Sequence, residues 1–168
     1  MDKRSRQYIG LFSAILAYYI IHEGAHLVYA LLIGVFKRVN VMGLGVQIDV
    51  FAERMNDTQL GIFCIIGSVF TTVIGYILVF LASKVETATS KVFMACMYYI
   101  TIAMLLIDPL YLSVLCGFFG GGDMNGISIL VPEWIARVGY GALLLINIVL
   151  FVKIVLPKYT MAFNNVDK

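Results

Sequence analysis

Histidine is the scarcest reactive residue in this chain: two occur in 168 residues, His22 and His26. That excludes the membrane oxygenases and desaturases, which need clusters of them. Charge is scarce as well. Only 13% of residues are Asp, Glu, Lys or Arg, against about 25% in soluble proteins. The net charge is +2 with no long run of Lys or Arg, which leaves no footprint for nucleic acid. The three cysteines, Cys64, Cys96 and Cys116, lie in apolar stretches without metal-type spacing. They read as small buried hydrophobes, not as a secreted disulfide framework. No internal repeat or low-complexity tract is present.

What the chain has in quantity is apolar sequence: 61% of residues, with a mean hydropathy of +0.95. Four segments exceed the roughly 20 residues that a helix needs to cross a bilayer: Tyr8–Phe36, Gln59–Ala82, Val92–Leu115 and Trp134–Leu156. The basic N-terminus before the first of them resembles a signal peptide. The apolar run is far longer than a signal h-region, however, and is read as a retained span. The expectation is a single all-α integral membrane domain, residues 1–168, with multiple passes. Lys3, Arg4, Arg6, Lys84, Lys91, Lys153, Lys158 and Lys168 fall on one side, and Lys37, Arg38, Arg54 and Arg137 on the other. Both termini are therefore predicted to be cytoplasmic.

Two connections depart from plain turns. Val39–Met42 and Val46–Val50 alternate apolar and polar residues around Gly43-Leu44-Gly45, the pattern of a short β-hairpin. Residues Cys116–Glu133 contain Gly117, Gly120, Gly121 and Gly122, then Asp123-Met124-Asn125-Gly126, with no Lys or Arg. This Gly-rich stretch is predicted to be a loop or a re-entrant segment, tolerable at membrane depth only against a wet or protein-walled cavity. The connection Ser83–Ser90 is short, polar and turn-like.

The chemistry centres on His22-Glu23-Gly24-Ala25-His26, an HExxH pattern. Histidines four apart on a helix project from one face and can share a metal, while the glutamate beside them handles a water's proton. Its position within the first span sharpens the reading. An ionisable side chain at mid-bilayer costs about 2.5–3.5 kcal/mol and needs a compensating partner. A catalytic zinc keeps three protein ligands and a water, so one ligand must come from elsewhere, and a carboxylate is the natural candidate. Asp123, reached through three glycines, is the first choice. Asp108, beside a Pro109 expected to break the third helix locally, is the rival, with Glu53 and Asp49 next in line. The carboxylate that does not bind metal is expected to accept from a histidine N–H. Asn125 or Asn147 could steady a developing oxyanion.

The chain resembles the site-2 proteases, intramembrane zinc metalloproteases, and their compact bacterial and archaeal members in particular. HEGAH lies in a membrane helix, Gly34, Lys37 and Arg38 follow it, Gly67-Ser68 is similar to the family's start of the next span, and Asp123 stands where the family's aspartate ligand is expected. Asp-Met-Asn-Gly replaces the family's Asp-Gly, and no proline follows Gly67. The resemblance implies one zinc ion per chain, Glu23 as general base, and a transmembrane protein as substrate. The hairpin is expected either to pair an unwound substrate strand with Val46, Ile48 and Val50, or only to plug the membrane surface. The alternative is a catalytically inactive metal-binding membrane regulator or chaperone. Gly61, Gly67 and Gly75 on the second span leave two packing partners open, the chain's own helices or another copy.

Overall fold

A computed structural model describes residues 2–43, 45–85, 88 and 90–165. Leu44 of the expected hairpin turn, Glu86, Thr87 and Thr89 of the second connection, and Lys168 lie outside the described residues.

Helix α1 spans Lys3–Leu32, opened by Asp2, whose Oδ1 accepts from the Ser5 N–H at 3.0 Å. It ends earlier than the apolar run suggests. Gly34 takes a φ of 71°, its N–H donates to Leu31 O at 3.2 Å, and the Val35 N–H donates to Ala30 O at 2.9 Å. This paired closure of the last carbonyls is a Schellman motif, which needs a residue tolerant of positive φ just past the helix. The strand β1, Phe36–Met42, follows at once and pairs antiparallel with β2, Gly45–Val50. The predicted hairpin is thus present, starting three residues before Val39. Arg38 Nε donates to Asp49 Oδ2 across it at 2.8 Å, and this guanidinium holds the Asp49 carboxyl below the ordinary carboxylate range.

Helix α2, Asp57–Val85, begins with a reciprocal capping box. Asn56 Oδ1 accepts from the Gln59 N–H at 2.8 Å, and Gln59 Oε1 accepts from the Asn56 N–H at 3.0 Å. The early start places Gly67-Ser68 inside the helix, not at its opening. Helix α3, Lys91–Leu110, is capped by the Ser90 hydroxyl and contains Pro109. The expected break at Pro109 does not occur: the helix runs on as a π-turn, Tyr111–Leu115. Proline has no N–H, so the carbonyl four residues back, Leu105 O, loses its helical donor. Asn147 Nδ2 supplies one at 2.7 Å.

The Gly-rich connection is only partly irregular. Gly120, Gly121 and Gly122 have φ of 85°, 84° and 47°, after which a short helix α4, Asp123–Leu130, forms. The last long helix comprises α5, Glu133–Leu150, a π-turn at Phe151–Val155, and α6, Leu156–Asn165. Four helical segments, Lys3–Leu32, Asp57–Val85, Lys91–Leu115 and Glu133–Asn164, are long and apolar enough to cross a membrane.

Two buried clusters hold the bundle at its two ends. Near the hairpin, Phe63, Leu112, Cys116, Met124 and Ile127 pack with Ala30 and Ile48, joining α1, α2, the π-turn after α3, α4 and β2. At the other end, Met94, Leu105, Val155 and Tyr159 pack with Ala82 and Val85. The glycines of α2 are filled from within the chain. Gly61 faces Leu130, Gly67 faces the two histidines, and Gly75 faces Leu105.

Candidate metal centre

One helical turn separates His22 from His26, and both are buried, at 8% and 3% exposure. Their Nε2 atoms lie 3.2 Å apart. Asp123, first residue of α4, brings its Oδ2 to 3.2 Å from His22 Nε2 and 3.6 Å from His26 Nε2. Bonds of about 2.0–2.1 Å in a tetrahedral site put neighbouring ligand atoms roughly 3.3–3.4 Å apart, so these three atoms form one face of such a tetrahedron. The donor set, two imidazoles and a carboxylate, suits zinc.

Gly67 of α2 faces the same imidazole edges. A Cβ on Gly67 would lie 2.5 Å from His26 Nε2 and 2.8 Å from His22 Nε2. Only a residue without a side chain lets α2 pass this close to the imidazole edges.

What brings Asp123 here is the packing of α4 on α2. Two glycines face across that contact, Gly61 against Leu130 and Gly126 against Cys64 and the Leu60 carbonyl. Met124 and Ile127, both 2% exposed, anchor the inner face of α4. The positive φ values at Gly120–Gly122 turn the chain so that residue 123 faces the histidines.

Asp108 is placed differently from its rival. It is 2% exposed and lies on the far side of the His22 ring, 3.3 Å from Nδ1. It also accepts from the Tyr18 hydroxyl at 2.5 Å and from the Thr71 hydroxyl. With Nδ1–H donated to this carboxylate, the His22 lone pair sits on Nε2, toward His26 and Asp123. Nothing in the sequence pattern singled out Tyr18 or Thr71, because a lone hydroxyl in an apolar helix commonly bonds its own backbone.

Glu23 is outside the group formed by His22, His26 and Asp123. Its Oε2 accepts from the Ile48 N–H at 3.0 Å, and it lines a cavity of about 290 Å³ together with His26, Asp123, Val46, Gln47 and Tyr111. Since the Ile48 N–H points away from β1, alternation along the strand turns the backbone groups of Val46 to the same free edge. The side chain of Val50, like that of Ile48, packs with the buried cluster near the hairpin.

The remaining expected residues are not brought to the cluster. Asn125 is exposed, and its Nδ2 donates to Gly120 O at 3.3 Å. Asn147 joins α5 to its neighbours through Leu105 O and the Tyr76 hydroxyl. Asp49 is paired with Arg38, and Glu53 lies exposed in a short turn after the hairpin. No protein-family model, curated protein or solved structure matches this chain.

Proposed function

We propose that this chain is an intramembrane zinc metalloprotease that hydrolyses peptide bonds in or near transmembrane segments of other proteins. The carrying observation is the convergence of His22, His26 and Asp123 at tetrahedral ligand spacing, with Glu23 lining a cavity that His26 and Asp123 also line. The four long apolar helices support a multi-pass membrane protein. In this reading both termini face the cytoplasm, as the distribution of Lys and Arg suggests.

His22, His26 and Asp123 would hold the ion. Zinc, when bound, supplies Lewis acidity and lowers the pKa of water to about 7. Asp108 acts as a positioning residue: it fixes the His22 ring and keeps Nε2 free of a proton. Glu23 takes the proton of the attacking water and delivers it to the departing amine nitrogen. The Ile48 N–H orients the Glu23 carboxylate from the hairpin side.

A transmembrane substrate has its backbone paired within its own helix, so a segment must unwind to be cut. The free edge of β2 supplies a template for that segment, by strand addition beside Glu23. Val46 offers both backbone groups there. Ile48 offers its carbonyl, its N–H being held by Glu23.

The test is cleavage of single-span model substrates in reconstituted vesicles, with metal content measured on the same samples. Glu23→Gln should lower cleavage by about 10²–10⁴-fold and leave one zinc per chain. Near-wild-type cleavage by this variant would refute the mechanism. Stoichiometric zinc in a wild type that cuts no substrate would favour the metal-binding regulator instead.

A further inference from the structure

Away from the metal centre, the end of the bundle where both chain termini meet holds a second cavity, of about 330 Å³. Its polar wall is Lys3, Arg6 and Gln7 of α1, Lys91 of α3 and Asn164 of α6; its apolar wall includes Tyr98, Tyr99 and Phe163. Lys3 and Lys91 are the first residues of their helices, and neither first turn has an acidic residue. A cation at a helix N-terminus is repelled by the macrodipole, whereas an anion there is favoured.

Tyr99 also lines a second, apolar groove farther along the bundle between α1 and α3. Leu11, Ile15, Ile102, Leu106 and Leu110 line its sides, with Ala14 and Ala103 as a buried floor. From Tyr99 to Leu110 the helix rises roughly 16 Å, about half of a ~30 Å hydrocarbon core, or one leaflet. A basic, partly aromatic pocket beside an apolar groove about one leaflet long suits the head and chain of an anionic phospholipid.

We propose that this is a binding site for an anionic phospholipid of the leaflet facing the chain termini. Its phosphate lies among Lys3, Arg6 and Lys91, and one acyl chain lies in the α1–α3 groove. The site rests on the membrane reading given above, but not on proteolysis. The far end of the groove, Ile107 and Leu110, also lines a cavity shared with His22, Glu23 and Asp123, so a bound acyl chain ends beside the metal centre.

The experiment is native mass spectrometry of the full chain in neutral detergent. The chain is exposed to equimolar phosphatidylglycerol and phosphatidylcholine with identical acyl chains. Wild type should retain phosphatidylglycerol over phosphatidylcholine on the order of tenfold or more, as expected for several basic side chains acting on one phosphate. The triple variant Lys3→Gln, Arg6→Gln, Lys91→Gln should fall to near parity, with unchanged helicity and zinc content. Parity in wild type, or unchanged selectivity in the variant, overturns the site. Displacement of the lipid by millimolar inorganic phosphate overturns it too, since the pocket would then bind soluble phosphate without using the groove. Failure of the membrane reading itself looks different: the chain would be recovered from cells in the soluble fraction.

Discussion

At the scale of single residues, two aspartates flank one imidazole and do different work. Asp123 faces Nε2 of both histidines, and Asp108 faces only Nδ1 of His22. Asp123→Ala removes the proposed third ligand, so bound zinc and cleavage should both be lost, as read by metal analysis and substrate digestion. Asp108→Asn keeps the shape and loses the charge that orients His22. It should retain zinc with affinity weakened about 10–100-fold, measured by chelator competition. If Asp108→Asn releases all the metal while Asp123→Ala holds it, the roles are reversed. Gly67 belongs at this scale too. Gly67→Ala puts a methyl group against both imidazole edges, so metal binding should fall sharply while helicity by circular dichroism stays. Full zinc occupancy in that variant would mean that the imidazoles can move aside.

At the scale of elements, the site depends on how α4 and α3 are held. Helix α4 has eight residues, too few to be stable alone; its order comes from the glycine-lined contact with α2. Helix α3 runs through Pro109 because Asn147 serves the orphaned Leu105 carbonyl. Asn147→Leu leaves that buried carbonyl and the Tyr76 hydroxyl without their partner. The cost of an unsatisfied buried group is about 1–3 kcal/mol, which should appear as lower stability in unfolding by heat or denaturant. Zinc binding at low temperature should survive, because Asn147 does not touch the ligands. A variant of unchanged stability would show that the helix holds its course past Pro109 without this bond.

At the scale of the whole molecule, four long helices return the chain to the face from which it started. Lys3 and Asn164 line the same cavity, and the hairpin and α4 gather at the opposite end with the buried cluster beside the candidate metal site. Membrane-impermeant labelling of single cysteines at Lys3 and Lys158 in sealed vesicles should therefore give the same accessibility at both positions. Opposite accessibility would require an odd number of crossings and would separate Asp123 from the histidines. The small residues on α2 are occupied inside the chain, so they do not argue for a second copy.

The sequence by itself determined the periodic and the local features. Apolar length marked four long helices, alternation marked the hairpin, and the i, i+4 spacing of His22 and His26 put two imidazoles on one face, because each signal lies within a few consecutive residues. The capping box at Asn56 and Gln59 and the Gly34 terminus are local in the same sense, though apolar composition alone set the expected ends of the spans a few residues away. Only tertiary structure decided between Asp108 and Asp123 as neighbours of the imidazole Nε2 atoms, and assigned Asn147 to a carbonyl orphaned by a proline on another helix. It alone brought Tyr18 and Thr71 to Asp108, and the Ile48 N–H to Glu23. Each of those choices depends on which side of a ring or groove an atom reaches after distant segments have packed, and separation along the chain carries no information about that.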